Sequence, residues 1–90
     1  MEDLYMCLRE NKDNIRKISV VNYRDVIFNV NMEKLDVRRE LGDERLVLRE
    51  VNKDISIKIY DVDVNNWDIN DEGNILIFLK DGYVYVLEVD

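Results

Sequence analysis

The sequence predicts an α+β fold: one N-terminal helix packed on a mainly antiparallel meander sheet of about five or six strands, able to curl toward a half-barrel. Three observations carry that reading. Apolar residues recur at helical spacing near the start of the chain and at a period of two from Ile18 onward. Val and Ile are abundant, whereas Ala, the best helix former, is absent, as are Thr, Gln, His and Pro. Turn signals, Gly42-Asp43 and Asp81-Gly82 among them, punctuate the β-patterned part. No Pro-, Gly- or Ser-rich linker interrupts the 90 residues, so residues 1–90 read as a single domain.

The stretch "EDLYMCLRENKDNIRKI" places Leu4, Cys7, Leu8, Asn11, Ile15 and Ile18 near one stripe. Glu2 and Asp3 suit the positive end of a helix dipole, Arg16 and Lys17 the negative end. One helix is expected within 2–17, with an early stop near Asn11–Asn14 as the alternative. "ISVVNYRDVIFNVNM" reads as one long bent strand or as two strands turning at "NYRD", with Val26, Phe28, Val30 and Met32 on a common face.

"KLDVRRELGDERLVLREV" reads as a hairpin. With Gly42 and Asp43 as the turn, and Gly at a positive φ, Glu40 faces Arg45, Asp36 faces Arg49 and Val37 faces Leu48. A four-residue loop that set Arg38 against Arg49 would oppose like charges and is disfavoured. In "ISIKIYDVDV", Ile55, Ile57 and Ile59 form the inward face; Ser56, Lys58 and Tyr60 form the other.

A two-residue turn at Asp81-Gly82 pairs Lys80 with Tyr83, Leu79 with Val84, Phe78 with Tyr85, Ile77 with Val86 and Leu76 with Leu87. One face of this ribbon then carries Ile75, Ile77, Leu79, Val84 and Val86. The other carries Leu76, Phe78, Tyr83, Tyr85, Leu87 and Val89. Both are apolar, and one short helix can cover only one. The second face calls for closure of the sheet on itself, a second copy, or a dedicated partner. Tyr83, Tyr85, Phe78 and Leu87 are the candidate partner-binding residues.

The charge balance is 13 basic against 20 acidic residues, a net −7. Phosphate repels such a surface, which argues against direct nucleic-acid binding and favours a protein partner with a basic surface. No apolar run approaches the ~18 residues of a membrane helix, and the N-terminus carries acid where a secretory signal carries base. A cytoplasmic setting without membrane contact is expected. The lone Cys7, set among Leu4, Tyr5, Met6 and Leu8, reads as a small buried hydrophobe.

"DVDVNNWDINDE" matches calcium-loop spacing at Asp61, Asp63, Asn65 and Glu72, hard oxygen ligands for a hard cation. Asn66 stands where the sharp-turn Gly belongs, and the flanks read as strands rather than helices, so a solvated acidic loop is the competing reading. Calcium is the only cofactor the sequence suggests. "WDINDEGNILIFLKDGYVYVL" resembles one blade of a quinoprotein-type β-propeller. It occurs once, and 90 residues cannot close a propeller, so no family follows.

Arg38, Arg39, Arg45 and Arg49 form either a phosphate-binding patch or, since acids face two of them, a solvated charge ladder. Catalysis has little to draw on, because no His supplies proton transfer near neutral pH. The leading expectation is a small acidic non-enzymatic protein that binds and modulates or inhibits another protein. Viral or mobile-element inhibitors, antitoxins and nucleic-acid mimics work this way. A calcium-binding domain and an oligomeric structural subunit, such as a homodimer, are the alternatives.

Overall fold

A computed structural model describes residues 1–23 and 25–90. Helix α1 spans Glu2–Asn11 and buries Leu4 and Leu8, one turn apart on one face. It stops early because the Asn11 side-chain amide donates to the Cys7 carbonyl at 2.8 Å, and a 3-10 turn, Lys12–Asn14, follows. Ile15 and Ile18, which continue the helical stripe in sequence, lie instead on strand β1 (Ile15–Asn22). A β-bulge between Ile15 and Lys17 turns both into the core despite their odd spacing.

Seven further strands follow: β2 (Asp25–Asn31), β3 (Leu35–Glu40), β4 (Arg45–Glu50), β5 (Ile55–Tyr60), β6 (Val64–Ile69), β7 (Ile75–Leu79) and β8 (Tyr83–Val89). The α+β class and antiparallel pairing are as the sequence predicts. Among the described residues, however, the strands number eight and form two sheets. Sheet A has the order β2-β1-β8-β7-β6, and sheet B has the order β3-β4-β5. One hydrophobic cluster joins them. It contains Leu4 and Leu8 from the helix, Ile18, Val30, Ile75, Ile77 and Leu87 from sheet A, and Val37, Leu46, Leu48, Ile57 and Ile59 from sheet B. Sheet B, not a self-closing barrel, is what covers the inner face of the C-terminal ribbon.

Sheet B has the register the charge pattern predicts: Glu40 opposite Arg45, Asp36 opposite Arg49, Val37 opposite Leu48. Its turn differs in detail. Glu44 N–H donates to the Leu41 carbonyl at 3.2 Å, and Glu44, not Gly42, takes the positive φ of 50°. Ile55, Ile57 and Ile59 face inward as expected.

The β7–β8 hairpin departs from its predicted register by one residue. Ile77 pairs with Tyr85, Ile75 with Leu87 and Phe78 with Val84. The cause is the turn. Gly82 N–H donates to the Leu79 carbonyl at 3.1 Å, with Gly82 at φ 95°, and Asp81 Oδ1 accepts from Tyr83 N–H at 3.1 Å. Lys80, Asp81 and Gly82 thus form a three-residue loop with a left-handed glycine at its end, not a two-residue turn. A one-residue slip exchanges the faces of one strand relative to the other. Tyr83, Tyr85 and Leu87 therefore join Ile75 and Ile77 on the inner face. Leu76, Phe78, Val84 and Val86 form the outer face, each half-buried.

β2 is corrected likewise. Val20 pairs with Phe28 but Val21 pairs with Val26, so Ile27 is an extra residue and Val26 leaves the face of Phe28 and Val30.

Glu50 is fully buried on the inward face of β4. Its Oε2 accepts the N–H groups of Glu33 (2.7 Å) and Lys34 (3.0 Å), where the chain passes from β2 to β3. Its Oε1 accepts Asn52 N–H at 2.9 Å. Burial pushes the carboxyl pKa up, but these three donors, helped by Lys53, outweigh it, and the net shift is downward.

Two outcomes are expected. Glu50→Gln leaves a buried donor facing backbone N–H groups and lowers unfolding free energy in urea by about 2–3 kcal/mol at pH 7. Because the folded pKa is depressed, the ionised group's contribution is complete above its ordinary value of 4.5 and is lost as pH falls through the lower folded value. The gap between wild type and variant should therefore close in that acid range. Gly82→Ala meets no neighbouring atom within 4 Å, so its cost is conformational alone. About 1–2 kcal/mol is expected from the left-handed φ, read as a lower melting temperature.

Candidate interaction surface

Sheet A presents two unlike edges. β6 lies at one, with Asp63 just before it and Asp68, Asp71 and Glu72 on it and in the turn after it, all exposed. From Ile59 to Leu79 the chain carries five acidic residues and no Lys or Arg. Asp61 is neutralised by Arg39. Asp63, Asp68, Asp71 and Glu72 enter no ion pair among the described residues. Apolar groups lie among them: Val62 is 64% and Ile69 49% exposed, while Trp67 packs against the core.

β2 lies at the other edge. Val26, Ile27 and Phe28 are exposed there, and Tyr23, at the turn before it, is 96% exposed. One cross-strand row of the outer face joins the edges, running Asn66–Phe78–Val84–Val21–Val26. The next runs Asp68–Leu76–Val86–Ser19–Asn29. The outer face is thus apolar at its middle and polar or acidic toward β6.

The four residues chosen from sequence as partner-binding do not share this surface. Leu87 is fully buried and Tyr85 packs against the core. Tyr83 is half-buried on the same inner face; Phe78 alone lies on the outer one. Burial, with Asp81 and Asp63 nearby, raises the Tyr85 pKa, so its phenol stays protonated at neutral pH.

The calcium-spaced residues are likewise separated. Asp61 and Asp63 lie in a 3-10 turn and Asn65 on β6, whereas Glu72 lies beyond the far end of that strand. An extended strand of six residues spans roughly 20 Å, too far for one cation to bridge. No group of three or more His, Cys, Asp or Glu is placed to hold a metal among the described residues.

The arginines resolve into paired groups. Arg45 Nε meets Glu40 at 2.6 Å, and its guanidinium sits 5.7 Å over the Tyr60 ring. Arg49 pairs with Asp54 at 2.8 Å rather than with Asp36, which pairs with Arg38 at 3.3 Å. Arg39 points inward. It grips Asp61 with both terminal nitrogens, at 2.8 and 2.6 Å, and reaches Glu2 with Nε at 2.9 Å. The bonds to Asp61 and then Glu2 raise its pKa further, so it remains charged throughout. Helix start, β3 and the β5–β6 crossing are tied together by this one side chain.

Cys7 is a half-buried free thiol. Burial and then Glu10 raise its pKa, against the Asn11 contact, which keeps it protonated and unreactive at pH 7. No helix among the described residues is long and apolar enough to cross a membrane.

Sequence reasoning missed the β2 edge and Glu50. Neither the bulge at Ile27 nor the edge position of β2 has a local signal. Glu50 did have one: strict alternation puts it on the inward face with Leu46 and Leu48, where a carboxylate is out of place. Compared with protein-family models, curated proteins and solved structures, the chain shows no match.

Arg39→Lys is expected to destabilise the fold by about 2 kcal/mol in urea unfolding, since an ammonium cannot reproduce the two-pronged grip on Asp61. If the loss matches that of Arg38→Lys on the outer face, the inward fork is not a structural tie.

Proposed function

We propose that the protein is a small non-enzymatic interaction module that binds another protein through its acidic β6 edge. The observation that carries this reading is the uncompensated run of carboxylates, Asp63, Asp68, Asp71 and Glu72, on and around an exposed edge strand. Six of the twelve described cations, Arg16, Lys17, Arg38, Arg39, Arg45 and Arg49, are committed to acids of their own in ion pairs. Four unpaired carboxylates thus gather on one edge strand and its flanking turns. A partner with a basic surface meets carboxylates there, where a nucleic-acid-binding protein would expect phosphates. Electrostatic complementarity of this kind mainly speeds encounter and selects the partner. Val62 and Ile69 add apolar contact beside the charge. Such a module would act by occupying a basic site and so modulating or inhibiting its owner.

The test uses the immobilised protein and a lysate resolved by isoelectric point. Basic proteins should be retained at ~0.1 M salt and released near ~1 M, where the Debye length falls from about 10 to about 3 Å. A variant with Asp63→Asn, Asp68→Asn, Asp71→Asn and Glu72→Gln should retain none of them. Retention that ignores salt, or survives the four changes, defeats the proposal.

A further inference from the structure

We infer that the opposite edge of sheet A binds a second copy of this chain, β2 pairing antiparallel with β2 about a two-fold axis near Phe28. Three observations carry it. The first is the concentration of exposed apolar side chains, since Tyr23, Val26, Ile27 and Phe28 lie within six consecutive positions. On the outer face the half-buried Val21, Val84 and Phe78 continue inward from Val26, while Phe28 lies on the inner side of the same edge, so apolar groups flank the rim on both faces. The second is the free rim. Met32 N–H donates to the Arg16 carbonyl, toward β1, so by strand alternation Asn31 and Asn29 turn their backbone groups away from the sheet. The outward Asn31 carbonyl is held by Lys53 Nζ at 2.8 Å, which leaves the Asn29 N–H and carbonyl and the Asn31 N–H for pairing.

The third is charge, and it selects the occupant. Strand β2 carries one charge, Asp25, at its first position, and Lys53 stands at its last. Two-fold antiparallel pairing lays the Asp25 end of each copy beside the Lys53 end of the other, so the edge is complementary to itself. A basic partner finds its attraction at β6 instead. A molecule of net −7 can approach its own copy only through a face poor in acid, and β2 is that face. The bulge at Ile27 lies beside that axis, so Asn29 to Asn31 of each copy runs along the stretch before the bulge of the other, and Ile27 adds apolar contact.

Sedimentation and light scattering across a concentration series test the contact. Wild type should form a dimer by high micromolar concentration, and Ile27→Lys should be monomeric with an unchanged circular-dichroism melt. Should Ile27→Lys unfold, Tyr23→Asp, at a side chain almost wholly in solvent, gives the same reading. Asp25→Lys and Lys53→Glu should each weaken the dimer several-fold, and the two together should restore it. A wild type that stays monomeric, a dimer that survives Ile27→Lys and Tyr23→Asp, or charge reversals without effect would each overturn the inference. The four-fold β6 variant keeps its dimer, which separates this contact from the partner-binding edge.

Discussion

The fold depends on a chain that leaves sheet A after β2 and returns to it before β6, and on a charged group at each crossing, Glu50 fully buried at the first and Arg39 half-buried at the second. An open crossing exposes backbone N–H groups to an apolar interior, and an unpaired buried donor costs about 1–3 kcal/mol. At the first crossing Glu50 accepts those donors from Glu33 and Lys34. At the second, Arg39 holds Asp61 while Asp61 N–H donates to the Glu44 carbonyl at 2.9 Å. With both crossings fixed, the apolar faces of the two sheets meet in one cluster, which α1 completes with Leu4 and Leu8. Hydrophobic burial supplies the drive, and the two ionic ties set where the chain may turn.

That arrangement leaves sheet A with one face against sheet B and two edges of opposite character. β6 is acidic and interrupted by a bulge at Asn65, a form that discourages indiscriminate strand pairing. β2 is nearly neutral and apolar. A hetero-partner recognised by charge and a like partner recognised by strand pairing can therefore use one molecule without competing. Each proposal draws on a different physical term, Coulombic attraction at β6 and apolar burial with backbone pairing at β2.

Much of the fold was legible because local pattern and tertiary context agreed. Glu40 against Arg45 and the Ile55, Ile57, Ile59 face follow from alternation, and sheet B obeys them. The α+β class follows from the change of period near Ile18. What escaped lies at points where one residue alters parity. Gly82 makes a three-residue loop where Asp81-Gly82 suggests two, and that single slip moved Tyr83, Tyr85 and Leu87 to the inner face. The bulges near Arg16 and at Ile27 act similarly. The division into two sheets was hidden because it depends on long-range packing. The acidic character of the chain was legible from composition, but the gathering of Asp63, Asp68, Asp71 and Glu72 along one edge required knowing which strand is outermost.

β1 and β8 are neighbours at the heart of sheet A, although about two-thirds of the chain lies between them in sequence. The three strands of sheet B are joined by tight loops and can assemble while still local. Sheet A has only hairpins to offer until β8 slots between β1 and β7. Loop-closure entropy thus falls on one late event, which ranks the molecule with slow, high-contact-order folders despite its size. Until that insertion, the β1–β2 hairpin has both rims open, so chaperone shielding during synthesis would matter most there.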